Sequence, residues 1–114
     1  LEIARRLAAS ADVLVENFRP GVMEKLGLGY EDLAPLNPRL IYCSEKGFLS
    51  GPYEHRTGLD EVVQMMGGLA YMTGPPGRPL RAGTSVVDVT GGMFGVIGIL
   101  AALEERHRTG KGQK

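Results

Sequence analysis

Asp88 stands just before a long apolar run that opens Val89-Thr90-Gly91-Gly92-Met93-Phe94-Gly95. An acid at the edge of such a run needs a favourable setting. The start of a helix supplies one, because unpaired backbone N–H groups and the positive dipole end favour a carboxylate. Two readings follow. Asp88 caps the helix, or the helix end presents it as a nucleophile or acid/base beside an anionic ligand. From these residues alone both stand.

A second group is Asn17-Phe18-Arg19, set between Glu16 and Pro20-Gly21. It falls where a strand gives way to a helix, and open α/β sheets bind ligands outside the carboxyl ends of their strands. An amide, an aromatic face and a guanidinium beside free helix N–H groups suit an adenine ring and phosphates. Lys25, six residues beyond Arg19, adds charge. The stretch lacks Gly-x-Gly-x-x-Gly and so is no dinucleotide fingerprint. An ordinary loop with a surface arginine reads equally well. Third, Asp60 and Gln64 are four apart and face the same way on a helix, although acids near a positive helix end already explain Asp60 and Glu61. No Ser-His-Asp arrangement and no metal-ligand cluster is recognisable. His55 and His107 lie in polar surroundings and read as solvated.

The elements that must position these groups follow from periodicity. Leu1 to Ser10 has helical spacing. Val13-Leu14-Val15 reads as a buried parallel strand. Gly21 to Leu26 makes a short helix with Pro20 in its first turn and Gly27 closing it. Tyr30 to Leu36 is a second short helix, and Arg39 to Ser44 a second strand. Glu45 to Gly58 turns to loop. Leu59 to Leu69 is a helix with Leu59, Val62, Val63 and Met66 on one face. Thr73 to Pro79 breaks regular structure, and a long helix spans about Asp88 to Arg108. Gly91, Gly95 and Gly98 lie along one side of it, which invites close packing or a ligand. Helix alternating with strand is the grammar of an α/β domain with a parallel sheet.

Bulk properties narrow the field. Thirteen Lys+Arg balance thirteen Asp+Glu among 114 residues, against the basic excess of a nucleic-acid binder. One cysteine, Cys43, excludes an internal disulfide and a Cys-rich zinc site. It sits in Leu40-Ile41-Tyr42-Cys43 and reads as a buried small hydrophobe. A reducing, cytoplasmic setting is expected. Leu1 to Leu7 is amphipathic and does not read as a signal peptide. The most apolar stretch, Val89 to Leu103, is shorter than the roughly 20 residues of a membrane span, so a soluble protein is expected. The chain opens inside a helical pattern and closes after a turn signal. A piece of a longer protein is therefore expected.

Taken together, the stretches ADVLVENFRPGVMEKLGLGYEDL, NPRLIYCSEKGF, TGLDEVVQMMGGL and VVDVTGGMFGVIGILAALEERHRTGKGQ resemble the family III CoA-transferases. That superfamily includes formyl-CoA and carnitine CoA-transferases and the alpha-methylacyl-CoA racemases. The resemblance covers nearly the whole chain. It implies a Rossmann-like parallel-sheet large domain, of which residues 1–114 would be a part. It implies an acyl-CoA:carboxylate CoA-transferase in which Asp88 attacks the donor acyl-CoA. An aspartyl-CoA thioester then forms and passes CoA to an acceptor carboxylate. Asp60 matches an acid near the active site, and Asn17, Phe18, Arg19 and Lys25 match the CoA-binding region. Racemases of this superfamily carry a histidine where this chain has Leu59, and a leucine cannot move a proton, which favours transfer. A racemase and a non-catalytic CoA-binding remnant remain the alternatives. The resemblance implies the CoA thioester as substrate with no permanently bound cofactor, and with no metal-ligand cluster in the sequence no metal is expected. It further implies an interlocked homodimer at full length, while the charge balance and the short apolar stretch lead to the expectation of no nucleic-acid or membrane partner.

Overall fold

The computed structural model describes residues 1–114. Its order is α1 (Glu2–Ala8), β1 (Val13–Glu16), α2 (Val22–Lys25), α3 (Tyr30–Leu33), β2 (Ile41–Ser44), α4 (Asp60–Met66), α5 (Leu69–Thr73) and α6 (Val86–Thr109). The α/β class read from the sequence is the class observed. β1 and β2 pair in parallel, Val13 opposite Ile41 through Glu16 opposite Ser44. Parallel neighbours need a crossover connection, and α2 and α3 provide it. The other edge of β2 is not bare. Tyr42 N donates to Gln113 O at 2.9 Å and Gly112 N to Pro38 O at 2.8 Å, so the segment after α6 runs back beside it.

One face of this unit holds the core: Ala8, Met23, Leu28, Leu33, Leu40 and Tyr42, with Leu14 and Tyr30 packed against them. Asn37 ties it together by donating from Nδ2 to Ala8 O at 3.0 Å and Ala11 O at 2.8 Å. At the far end Arg106 Nη2 donates to Asp12 Oδ1 at 2.8 Å, and its Nη1 to Arg39 O at 2.9 Å. These bonds fix the end of α6 to the entrances of both strands.

Several expectations are corrected. Val15 of the supposedly buried strand is 58% exposed, because few elements of this chain cover that face of β1. The helix expected from Gly21 starts at Val22, after Gly21 in the left-handed region (φ 81°). It is a single turn, and Val22 N already donates to Arg19 O at 3.1 Å. The free N–H groups expected beside Asn17 to Arg19 are therefore not a developed helix end. The helix expected to run from Tyr30 to Leu36 stops at Leu33.

The single helix expected over Leu59 to Leu69 is two, broken at Gly67-Gly68, where Gly68 takes φ 86°. A side chain is costly at that angle, and glycine is not. The expected apolar face of α4 is inverted. Asp60 and Gln64 are its buried residues, whereas Leu59, Val62 and Met66 are exposed. Finally, α6 extends over 24 residues, and a stretch of it has mean hydropathy 2.0. By length and composition alone it is long and apolar enough to cross a bilayer, which the shorter stretch Val89 to Leu103 did not suggest.

Candidate functional site

A cavity of about 520 Å³ opens at the carboxyl ends of both strands. Its walls are the loop after β1 (Asn17 to Pro20), the turn after β2 (Glu45 to Gly47), residues 56–59 before α4, and the first turns of α6 (Val87, Asp88 and Gly91). Four segments far apart in sequence meet here, as expected for a ligand site at the strand ends of an open sheet.

Glu16 organises the first wall. It is the last residue of β1 and is only 6% exposed. Its carboxylate accepts from Lys46 Nζ at 2.7 Å, from Phe18 N at 2.9 Å and from the Ser44 hydroxyl. Lys46 Nζ also donates to Phe18 O at 2.6 Å. Both backbone polar groups of Phe18 are thereby fixed, and its ring is left half exposed at the cavity. Burial alone would raise the pKa of Glu16. The Lys46, Ser44 and Phe18 hydrogen bonds outweigh it and hold the carboxyl below its ordinary value.

Asp60 organises the opposite wall. Its Oδ1 accepts from Val87 N at 2.8 Å and Asp88 N at 3.2 Å. Its other oxygen takes the Gln64 amide and lies 3.5 Å from Arg81 Nη2. Gln64, with no exposed surface, accepts from Ala82 N at 2.7 Å and donates to Thr84 O at 3.3 Å. The pair four apart on α4 therefore holds the segment that leads into α6. Burial acts to raise the pKa of Asp60, but the amides of Asp88 and Val87, then Gln64 and Arg81, bring it below the ordinary carboxylate value.

This arrangement separates two roles that the sequence left joined in Asp88. The N-cap of α6 is Ser85, and Asp88 is the third helical residue. Of the first-turn N–H groups, those of Val87 and Asp88 are taken up by Asp60 from outside the helix and that of Val86 by Thr84 O. They are not free for an anionic ligand, and Asp88 is not the cap. Its side chain is exposed, forms no hydrogen bond or ion pair within the chain, and lines the cavity. Asp60 stands behind the helix start and does not line it.

The remaining sequence candidates fall as follows. Asn17, Phe18 and Arg19 line the cavity with Asp88; Lys25, exposed on α2, does not. Leu59 lines it, and His55 and His107 do not. Cys43 is half-buried, not buried, with its thiol 3.8 Å from Glu45 Oε1. Burial and the neighbouring Glu45 charge push that thiol up, away from the reactive thiolate. No three His, Cys, Asp or Glu side chains gather as a metal-holding group.

Sequence reasoning missed Glu45, Lys46 and Arg56, all of which line the cavity. Their signal was faint, because each sits in a stretch read only as loop. Arg56 lies 5.1 Å over the Tyr53 ring and, like Arg19, has no carboxylate within ion-pair distance. The carboxylates of Asp88, Asp60 and Glu45 thus lie on or against the α6 wall, that of Glu16 is matched by Lys46, and unpaired guanidiniums lie on the loop walls.

Comparison with known proteins identifies the family of the chain. The family model of CoA-transferase family III matches residues 1–114. The acetyl-CoA:oxalate CoA-transferase of Acetobacter aceti is 53% identical over 98% of this chain and 28% of its own length. The succinyl-CoA:glutarate CoA-transferase of Mus musculus is 45% identical over 98% of this chain and 26% of its own. A solved CAIB/BAIF family protein from Brucella suis superposes with a TM-score of 0.92 at 49% identity, over 98% of this chain and 30% of that one. The chain spans between a quarter and a third of the length of these relatives.

Proposed function

The chain belongs to CoA-transferase family III, and from that premise we propose that the enzyme containing it moves CoA between an acyl-CoA and a free carboxylate, with Asp88 as covalent nucleophile. Residues 1–114 are then part of its large domain. The observation that carries the reading is the division of labour at α6. Asp60 satisfies the N–H groups of Val87 and Asp88, and the Asp88 carboxylate stays unbonded in a cavity shared with Asn17, Phe18 and Arg19.

The chemistry proceeds through balanced steps. The Asp88 carboxylate attacks the thioester carbonyl, the C–S bond breaks, and CoA thiolate leaves an acyl–aspartyl anhydride. The thiolate attacks the aspartyl carbonyl, giving an aspartyl-CoA thioester and releasing the donor acid. The acceptor carboxylate repeats both steps in reverse and carries CoA away, restoring Asp88. A covalent intermediate splits one difficult exchange into easier ones. Asp60 acts here as a positioning residue for Asp88. Arg19 and Arg56 supply charge for the phosphates of CoA, Phe18 an aromatic face, and Lys25 a charge for a CoA tail extending beyond the cavity. CoA is substrate, and no permanent cofactor enters. A thiolate intermediate suits a reducing, cytoplasmic setting, and the interlocked homodimer implied by the resemblance is part of the same proposal.

Leu59 disfavours the racemase reading. Inversion at an alpha carbon needs acid/base groups on opposite faces, and Leu59 offers none. Glu45 packs against the same helix as Asp88. The deciding experiment incubates the full-length enzyme with acyl-CoA, traps with hydroxylamine or borohydride, and maps the modified residue by mass spectrometry. Modification of Asp88 is expected. Modification elsewhere, or full activity in Asp88→Ala, overturns the reading.

A further inference from the structure

Glu45 is the one charged cavity residue that the reading above leaves without a task. Among the cavity's acids, Glu16 is matched by Lys46, and Asp88 is the proposed nucleophile. Glu45 is half-buried, has no cation within ion-pair distance, and its carboxylate accepts a hydrogen bond only from the Cys43 thiol. Its position is set by the glycine side of α6. A Cβ on Gly95 would collide with Glu45 Oε1, and one on Gly91 would sit 3.7 Å from Oε2. Asp88, Gly91 and Gly95 are spaced to share a helix face, so the Glu45 carboxylate lies one to two turns along from Asp88, roughly 5–10 Å at 1.5 Å per residue. With Arg19 and Arg56 given to the CoA phosphates in the reading above, the charge nearest an acyl group on Asp88 along this helix face is the Glu45 carboxylate, which has no cation within ion-pair distance.

We propose that Glu45 sets acyl specificity by charge, favouring donors whose acyl group ends in a neutral moiety over donors that carry a second carboxylate. This rests on the transferase reading of Asp88. Like charges brought close in a site of reduced dielectric repel strongly, whereas a neutral acyl end meets no such barrier. The relative named for acetyl-CoA and oxalate has a neutral acyl donor in its name, whereas the one named for succinyl-CoA and glutarate has a donor with a second carboxylate, so the proposal sets this enzyme apart from the second in donor choice.

The test uses the full-length enzyme and a matched four-carbon pair. Labelled butyrate is exchanged into butyryl-CoA, and labelled succinate into succinyl-CoA, each acid serving as its own acceptor. Wild type should exchange butyrate with the higher kcat/KM, and the preference should narrow as salt rises. Glu45→Gln should raise the succinate-to-butyrate ratio of kcat/KM by about tenfold. Glu45→Asp, which keeps the charge, should restore a ratio closer to that of wild type than to that of Glu45→Gln. A wild-type preference for succinate, a salt-independent ratio, or an unchanged ratio in Glu45→Gln overturns the proposal while leaving the transferase reading intact. Absence of both exchanges, with no label on Asp88, overturns the transferase reading and this proposal with it.

Discussion

Asp60 and Asp88 are both acids at the start of helices, and burial and hydrogen bonding give them different tasks. Asp88→Asn should abolish transfer and leave the melting temperature nearly unchanged, since an exposed side chain without partners contributes within about 0.5 kcal/mol. Asp60→Ala should lower both, because the first turn of α6 loses its acceptor and Asp88 moves. Misplacement of about 1 Å costs on the order of 100-fold in rate, and thermal melts beside steady-state kinetics will separate the two aspartates. Arg19→Ala should weaken CoA binding by about 1–3 kcal/mol if it makes a charge-assisted phosphate contact. Unchanged affinity by isothermal titration would return it to the surface-arginine reading. At Leu59, a 2-methylacyl-CoA incubated in deuterated water should be used in transfer without label appearing at its alpha carbon. Rapid uptake without transfer would move the assignment to racemase.

At the scale of elements, the Glu16–Lys46–Phe18 linkage joins the ends of β1 and β2, and the Asp60–Gln64 pair joins α4 to α6. Both are carboxylate-centred, and both carboxylates have pKa values below their ordinary ones. Such groups bind protons less readily folded than unfolded. Their stabilisation is complete above the unfolded values of about 4.3 for Glu and 3.9 for Asp, and is lost as pH falls through the folded values. The melting temperature of the full-length enzyme should therefore hold from pH 8 to about 5 and fall below that. Lys46→Met should remove part of the acid-side fall and cost about 1–3 kcal/mol at neutral pH by leaving Glu16 buried without its cation. Gly95→Ala should displace Glu45 and change the succinate-to-butyrate ratio in the direction of Glu45→Gln, which exchange kinetics can read.

The whole chain is open for its mass. It exposes 7964 Å², where a compact monomer of 12.2 kDa exposes roughly 6,100 Å². Its radius of gyration is 16.8 Å against about 13 Å for a globule of this length. The excess is apolar along α6, where Val89, Met93, Phe94, Ile97 and Leu100 are each more than half exposed. Such a surface favours association in water. The isolated 114-residue chain should bind a hydrophobic dye, self-associate and lack a sharp cooperative melt. Dispersed amide signals with a cooperative transition would contradict this.

Much of the order of elements was legible locally. Apolar runs placed β1, β2 and α6 to within two or three residues, Gly27 marked a helix end, and the sequence Glu16 to Gly21 announced a strand-end loop. These features depend on neighbours within a turn or two. The cap of α6, the inversion of α4 and the place of Glu45 do not. Asp60 reaches N–H groups 27 and 28 residues away, and no local pattern tells which of two helix-starting acids will do so. The exposed residues Leu59, Val62 and Met66 obeyed helical spacing, yet polar Asp60 and Gln64 took the interior because the segment entering α6 presented unpaired amides and carbonyls there. Satisfying buried backbone groups outweighed the apolar stripe, and only the assembled chain brings those groups together.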